Sequence, residues 1–333
     1  MEQRNLGRTG LTVSALGFGC GAVGGLFVKG DAAAQRQALD EAVAAGISYF
    51  DTAPSYGDGA SETNLGQVLA ESGASVRVGT KVRVLPGDVA DAAGVIRRSL
   101  ETSLRRLRRE RVDLLQLHTR IGLRRDEDNG QLSLADALGP VLDGFRQVQS
   151  AGLTGHIGFT GLGETEALQQ VLGAGAFESM QSYFNAVNPS AGWPGRAPGG
   201  EQDFAGVIGK AAAAGVGIIV IRPLAAGALG AVETRHPNAG GPGAGIVPGA
   251  DYASHLRQAQ HLAQVAAALG LDGPVELALR FVLSQPGVST VLVGFSDRSQ
   301  LSDALRWTER GALAPEAIEQ ILVAGAGLSD DLG

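Results

Sequence analysis

The sequence predicts a (β/α)8 barrel with a short β-hairpin at its amino-terminal end. Eight short apolar segments alternate with amphipathic or alanine-rich segments, in the regular order that builds a parallel barrel. No stretch of linker-like composition divides the 333 residues, and barrels of this kind often reach that length as one domain. A doubly wound sheet would usually have fewer strands and a second domain. We therefore predict a single domain over residues 1–333.

The individual elements follow from the pattern in chain order. Residues 5–13, NLGRTGLTV, predict a hairpin that turns at Arg8, Thr9 and Gly10. The apolar segments predict strands at residues 15–19, 48–51, 77–80, 112–117, 154–159, 179–183, 217–221 and 290–293. The segments between them predict helices at residues 32–44, 61–71, 90–109, 134–150, 164–172, 204–214, 252–269, 274–284 and 299–307. Two connections are long, at residues 119–133 and 223–250, and both leave the carboxyl ends of strands, where barrel enzymes build their active sites.

Composition and charge exclude several classes of protein. With 44% hydrophobic and 18% charged residues, the chain is typical of a soluble globular protein, and no apolar run reaches the length of about 18 residues that a membrane span needs. The net charge of −7 argues against a nucleic-acid partner. The arginine-rich residues 97–111 form the solvated face of a helix whose opposite face carries Leu100, Leu104 and Leu107. With Cys20 as the single cysteine and no leader pattern, we expect a cytoplasmic protein without disulfides.

A cluster of glycines at residues 16–25, LGFGCGAVGG, fits the G-x-G-x-x-G spacing of a Rossmann dinucleotide site at Gly19, Gly21 and Gly24. Helix-forming residues begin only at Ala32, too far along the chain for this glycine turn to open a helix directly. We therefore interpret the match as accidental, and the segment as the first barrel strand with its outgoing loop.

Four residues at successive strand ends point to hydride transfer at a carbonyl. Asp51 ends the second predicted strand and Tyr56 follows it, Lys81 directly follows the third, and His118 directly follows the fourth. A tyrosine hydroxyl, with an ordinary pKa of about 10, can protonate the carbonyl oxygen as hydride arrives, and a nearby ammonium favours the tyrosinate. Lys81 would supply that ammonium, Asp51 would keep it charged and oriented, and His118 would donate a hydrogen bond to the substrate oxygen.

Each of these residues also has a purely structural interpretation. Asp51 fits a turn residue and Tyr56 an aromatic residue at the rim. Lys81 fits a solvated strand end, and His118 a core histidine with satisfied ring nitrogens. Four independent structural residues would seldom fall at three successive strand ends, so the joint pattern favours the catalytic interpretation.

The sequence resembles the aldo-keto reductases in segments that run in family order over nearly the whole chain. The most specific segments are residues 46–69, GISYFDTAPSYGDGASETNLGQVL, and residues 96–118, IRRSLETSLRRLRRERVDLLQLH; the others are residues 16–25, 79–82, 158–163, 222–230 and 291–301. The resemblance implies a barrel, a nicotinamide cofactor extended across its top, and a catalytic tetrad of Asp51, Tyr56, Lys81 and His118, with Tyr56 as the acid/base. It implies no metal.

The resemblance also implies the cofactor contacts. Thr160, Gly161 and Gln181 occupy the positions that hold the nicotinamide carboxamide, where Gly161 lacks the amide side chain usual in the family. Arg222 would reach the pyrophosphate, and Ile221 replaces the aromatic residue that often stacks beneath the nicotinamide. The full set of implied cofactor residues is Cys20, Gly21, Asp51, Thr160, Gly161, Gln181, Arg222, Pro223, Leu224, Gly227, Gly294, Ser296, Arg298, Gln300 and Asp303. Asp297 would repel a 2′-phosphate, whereas Arg298 would attract one or be solvated, and we favour NAD with NADP as the alternative.

The residues expected to contact the substrate predict a small polar substrate. Arg83 and Thr119 stand where many family members have aromatic residues, and together with Tyr56, His118 and Trp193 they suit a small polyhydroxylated or polar heterocyclic aldehyde. Residues 25–27 and 158–163 resemble the family branch of D-threo-aldose (L-fucose or D-galactose) 1-dehydrogenases and pyridoxal 4-dehydrogenases, which oxidise a cyclic hemiacetal to a lactone with NAD.

Three alternatives stay open from the sequence. The protein could be a general NADPH-dependent aldehyde or ketone reductase, or a redox-sensing binding module like the potassium-channel β subunits, which share this tetrad. The lack of an added amino-terminal segment favours the enzyme. A barrel hydrolase or isomerase would not explain Tyr56 and Lys81 together. The sequence leaves self-association undetermined.

Overall fold

Eight parallel strands close into a barrel in the computed structural model, which describes residues 1–232, 234–241 and 246–327. The barrel order is β3-β4-β5-β6-β9-β10-β11-β12, with β12 pairing back onto β3, so that the predicted fold class is confirmed. Within the described residues the strands are β1 Gln3–Asn5, β2 Thr12–Ser14, β3 Leu16–Gly19, β4 Tyr49–Asp51, β5 Arg77–Val82, β6 Val112–Leu117, β7 Arg120–Gly122, β8 Gln131–Ser133, β9 Thr154–Thr160, β10 Ser179–Tyr183, β11 Gly217–Ile221 and β12 Val288–Gly294.

The helices surround the barrel and cover its outer face. Their bounds are α1 Leu26–Lys29, α2 Ala32–Ala44, α3 Ala60–Ser72, α4 Ala92–Leu107, α5 Leu134–Asp136, α6 Leu142–Ser150, α7 Thr165–Gly173, α8 Val207–Ala213, α9 Tyr252–Ala268, α10 Pro274–Leu283, α11 Arg298–Glu309 and α12 Pro315–Gly327. On α4 the predicted apolar face is confirmed, because Leu100 and Leu104 are buried. None of the helices in these described ranges combines the length and apolar composition needed to span a bilayer.

Four features depart from the sequence prediction. The helix predicted at 134–150 is divided into α5 and α6 by a π-helical turn, because Pro140 lacks a backbone N–H and Gly139 leaves the helical region. The pair β7 and β8 forms a small sheet inside the long connection after β6, and α12 was not predicted. Helix α1 begins directly after Gly25, so the expectation that helix starts only at Ala32 is wrong.

The hairpin of β1 and β2 closes the amino-terminal end of the barrel. Its strands pair antiparallel, with Arg4 opposite Val13, as the sequence predicted. Leu6 and Val13 are buried beneath Tyr49, Leu114 and Ile219, which fill the barrel interior together with Leu292. The interior is therefore a packed core, and chemistry can occur only at the opposite, carboxyl-terminal end of the strands.

Candidate active site

A buried ion pair lies at the carboxyl ends of β4 and β5. Lys81 Nζ donates to Asp51 Oδ1 and, at 2.8 Å, to the backbone carbonyl of Thr52. Lys81 and Asp51 retain only 1% and 3% of their exposure. Parallel strand pairing produces this proximity, because Asp51 is in register with Gly79, two residues before Lys81.

The ammonium of Lys81 faces the ring of Tyr56. Nζ lies 4.9 Å from the ring centroid. Burial alone would lower the pKa of Lys81, but Asp51 and Tyr56 outweigh that effect and raise it above its usual range. Burial raises the pKa of Asp51, and Lys81 opposes the shift. Because the hydrogen-bond partners of both Asp51 oxygens are all donors, with no acceptor for a carboxyl proton among them, we take the pair as charged.

His118 stands edge-on to Tyr56 and is uncharged. The two ring centroids are 6.2 Å apart at an interplanar angle of 86°. Burial, Lys81 and Arg83 lower the pKa of His118 to about 3, so the neutral imidazole is the form present near neutral pH. A neutral imidazole still carries one N–H, and both rings line the same cavity.

Three neutral groups donate to the second oxygen of Asp51. Gln181 Nε2 lies 2.9 Å from Oδ2, and Gln116 Nε2 and the Tyr49 hydroxyl each lie 3.2 Å from it. A carboxylate only accepts hydrogen bonds, so this contact fixes the amide orientation of Gln181 and leaves its Oε1 as an acceptor. Because Gln181 also lines the cavity, that oxygen can meet a carboxamide N–H.

A cavity of about 640 Å³ opens at the carboxyl-terminal end of the barrel, and Asp51, Tyr56 and His118 are among its lining residues. This volume is in the usual range for cofactor and substrate sites. Of the residues predicted to hold a cofactor, those that line it are Gly21, Asp51, Thr160, Gln181, Arg222, Pro223, Leu224, Gly227, Gly294, Ser296, Gln300 and Asp303. Thr160 donates its hydroxyl hydrogen to the Leu117 carbonyl at 3.0 Å, which leaves its oxygen as an acceptor.

Three predicted cofactor residues are not among the described residues that line this cavity. Cys20 is buried in the core, 1% exposed. A Cβ added to Gly161 would lie 2.6 Å from the backbone carbonyl oxygen of Gln181, so an amide side chain there would require the backbone to move. The guanidinium of Arg298 donates to Glu41 on α2 at 2.9 Å and is held on the outer surface.

Some of the predicted substrate residues line the cavity and others do not. Tyr56 and His118 line the cavity, and Arg83 is exposed near His118. The Thr119 hydroxyl is buried and bonds both the backbone N–H and the carbonyl of Val84, at 3.1 and 2.9 Å. Trp193 packs its ring against Phe184 and Phe281, with centroids 5.9 and 5.2 Å away, and does not belong to the described lining.

Sequence reasoning missed a strap of residues 234–241 that lies over the cavity. Arg235, in the strap, donates to the Ala226 and Gly240 carbonyls, each at 2.9 Å, and to the Tyr252 hydroxyl at 3.1 Å. Asn238 Nδ2 reaches the Ser296 carbonyl at 3.0 Å, and the Gly240 N–H reaches the Ala22 carbonyl at 2.8 Å. The only sequence signal was the length of the connection after β11, of which residue 233 and residues 242–245 lie outside the described ranges.

Comparison with known proteins shows the family and agrees with this fold. The model of the aldo/keto reductase family matches residues 15–323. L-galactose dehydrogenase from Arabidopsis thaliana is 30% identical over 313 residues, which cover 91% of this chain and 86% of that protein. Pyridoxal 4-dehydrogenase from Microbacterium luteolum is 46% identical over 81 residues, 24% of each chain. An aldo-keto reductase from Bacillus halodurans, solved in its holo form, superposes with a TM-score of 0.72 at 23% identity over 97% of this chain and 96% of its own.

The protein is therefore a nicotinamide-dependent barrel oxidoreductase, and it belongs to the aldo-keto reductase family. The resemblance stated from the sequence is confirmed, including its branch, since relatives include an aldose dehydrogenase and a pyridoxal dehydrogenase. The family establishes that the cofactor is NAD(P)(H).

Proposed function

We propose that this protein oxidises the cyclic hemiacetal of a small polar aldehyde, aldose-like or pyridoxal-like, to a lactone with NAD, with Tyr56 as the general acid/base. The observation that carries the proposal is the charged Asp51–Lys81 pair set against the Tyr56 ring at the base of the cavity. The names of two relatives, L-galactose dehydrogenase and pyridoxal 4-dehydrogenase, support the substrate class.

The chain's own residues manage the proton. A bound nicotinamide would supply the acceptor for the hydrogen of the substrate carbon and its electron pair. Tyr56, whose ring faces the Lys81 ammonium, removes the proton of the hemiacetal hydroxyl as the general base, so that the C–O bond becomes the carbonyl of the lactone. The N–H of neutral His118 donates to the same oxygen and orients it. In the reverse direction the Tyr56 hydroxyl returns the proton.

The lining residues fit an extended dinucleotide. An added Cβ on Gly24 would lie 2.4 Å from the backbone of Gly294, so the chain segments after β3 and β12 approach closely where the cofactor would cross. Arg222 and Arg235 both line the cavity and repel one another, and a pyrophosphate between them would relieve that repulsion. Gln181 Oε1 and the oxygen of Thr160 would accept from the carboxamide N–H groups.

The α11 end of the cavity suits NAD better than NADP. Its lining residues, Ser296, Gln300, Asp303, Ala304 and Trp307, include a carboxylate and no cation. Arg306, outside the described lining, is already engaged by Asp303 and Asp272 at 2.8 and 2.6 Å. A carboxylate accepts hydrogen bonds from ribose hydroxyls and repels a 2′-phosphate. Arg298, the cation expected nearest to that phosphate, is held by Glu41.

Fluorescence titration with NADH and NADPH, followed by an oxidation screen of aldoses and pyridoxal, tests the proposal. We expect tighter binding of NADH and turnover of at least one of these substrates. Tyr56→Phe should abolish turnover while retaining cofactor binding, whereas Tyr183→Phe, which removes a buried hydroxyl outside the described cavity lining, should remain active. Full activity in Tyr56→Phe would refute the mechanism, tighter NADPH binding with reductase activity would indicate the general reductase, and binding without turnover would indicate the sensing module.

A further inference from the structure

Tyr49, on β4 two residues before Asp51, takes no part in the mechanism above. Its ring fills the barrel interior beside Leu114 and Ile219, and it retains 1% of its exposure. Its hydroxyl lies 3.2 Å from Asp51 Oδ2. A packing residue at this position needs no hydroxyl, because phenylalanine would fill the same apolar space.

Gly79 on β5 provides the space for that hydroxyl. A Cβ added to Gly79 would lie 2.1 Å from Tyr49 Oη and 3.0 Å from Cζ, so an alanine at residue 79 would displace the phenol group. Gly79 is the strand residue in register with Asp51. The hydroxyl therefore occupies a site bounded by β4 and β5, directly below the ion pair.

The two oxygens of Asp51 have different partners. Oδ1 accepts from the Lys81 ammonium, whereas Oδ2 accepts from Tyr49, Gln116 and Gln181. Burial and the adjacent carboxylate raise the pKa of Tyr49 well above its usual range, so the phenol keeps its proton and acts as the donor. A carboxylate with neutral donors on one oxygen is fixed in rotation and presents the other oxygen to the cation.

We propose that Tyr49 is a positioning residue for catalysis: its hydroxyl holds Asp51 Oδ2 so that Oδ1 keeps the Lys81 ammonium against Tyr56. This inference rests on the proposed role of Tyr56 as acid/base. It differs from a packing role, because the effect passes from Tyr49 through Asp51 and Lys81 to the reacting proton.

Loss of the Tyr49 hydroxyl would change how the proton is shared between Lys81 and Asp51. With one donor fewer, Asp51 becomes more basic and draws the Lys81 proton toward itself, so less positive charge faces Tyr56. The other titratable groups acting here are Cys20, Tyr56 and His118 around the ion pair, and Asp113 near Tyr49. Less positive charge then assists proton removal by Tyr56, so oxidation should require a higher pH.

The test measures the pH profile of kcat for the best substrate of the screen in Tyr49→Phe and Gly79→Ala. We expect kcat to fall about tenfold in each, the usual effect of one hydrogen bond to a charged group, with the KM for the cofactor unchanged. The midpoint of the oxidative profile should move to higher pH. Thr290→Val is the control, because it removes a buried barrel hydroxyl that has no hydrogen-bond partner among the described residues, and it should leave the profile unchanged.

Unchanged kcat and an unchanged pH midpoint in folded Tyr49→Phe would overturn the inference, as would an equal shift in Thr290→Val. If Tyr49→Phe fails to fold, Gly79→Ala decides, since it keeps every hydrogen-bonding group and only displaces the hydroxyl. Activity retained in Tyr56→Phe would refute the proposed function itself. An inactive Tyr56→Phe with a normal Tyr49→Phe would refute only the inference.

Discussion

Replacement of Lys81 by methionine should destabilise the protein in a way that depends on pH. The substitution keeps most of the side-chain volume but leaves the Asp51 carboxylate buried with only neutral donors. The side chains of Lys81 and Asp51 are 0% and 4% exposed, so solvent cannot replace the lost ammonium. Removing one partner of a buried ion pair costs about 3–5 kcal/mol, and we expect a loss of this size in the free energy of unfolding near neutral pH.

The sign of the pH dependence follows from the carboxyl group. Without Lys81, burial raises the folded-state pKa of Asp51 further above its unfolded value of about 3.9. Below that value the group is protonated in both states and the variant loses little. As pH rises, the unfolded chain releases the proton first, so the variant loses about 1.4 kcal/mol per pH unit until its folded pKa is passed.

Urea denaturation of the wild type and Lys81→Met, over roughly pH 4 to 8, measures this difference. The double variant Asp51→Asn/Lys81→Met, which contains no buried charge at this site, should be more stable than Lys81→Met alone near neutral pH. Lys210→Met changes an exposed lysine and should stay within about 0.5 kcal/mol of wild type. Equal stability of Lys81→Met and wild type at all these pH values would refute the buried-pair argument.

Three further outcomes are expected. The pKa of His118 is about 3 in the folded protein and about 6.5 in the unfolded chain, so acid favours the unfolded chain. As the pH drops from about 6.5 to 3, this group should lower the free energy of unfolding by at most about 4 kcal/mol. Urea denaturation of His118→Asn across this pH range should lack that part of the pH dependence. Arg298→Ala should leave the ratio of NADH to NADPH affinity unchanged in fluorescence titration, because Glu41 already holds the guanidinium; a selective loss of NADPH binding would contradict this. Gly25→Ala should weaken NADH binding about tenfold, because the added Cβ would lie 1.9 Å from the Asn238 carbonyl oxygen and displace the strap. Gly73→Ala, also at positive φ but in open space, is the control and should bind NADH as the wild type does. Equal NADH affinities of the two variants would show that the strap does not contribute to binding.

The sequence was sufficient for the barrel because parallel strands are buried on both faces and therefore read as short apolar runs. It was also sufficient to place Asp51, Lys81 and His118 at neighbouring strand ends, since strand order in such a barrel follows chain order. It could not indicate that Arg298 pairs with Glu41, 257 residues away, or that Trp193 packs on Phe281. Those contacts depend on where helices lie against one another.

The strap was hidden for the same physical reason. Arg235 is one arginine in a glycine-rich connection, and nothing local distinguishes it from a solvated residue. Its position over the cavity is set by hydrogen bonds from strap residues to Ala22 and Ser296, which belong to the first and last barrel loops. Long-range backbone contacts of this type leave no periodic pattern in a sequence.

The distribution of charge along the cavity gives the NAD proposal its physical basis. The chain carries a formal net charge of −7, which would repel any dinucleotide at long range. Arg222 and Arg235 in the lining provide local positive charge where a pyrophosphate would lie, and Asp303 provides negative charge at the α11 end. A cofactor whose anionic groups are confined to the pyrophosphate matches this polarity. A further phosphate on the adenosine ribose would face Asp303, and the cation beside Asp303, Arg306, is already engaged by Asp303 and Asp272.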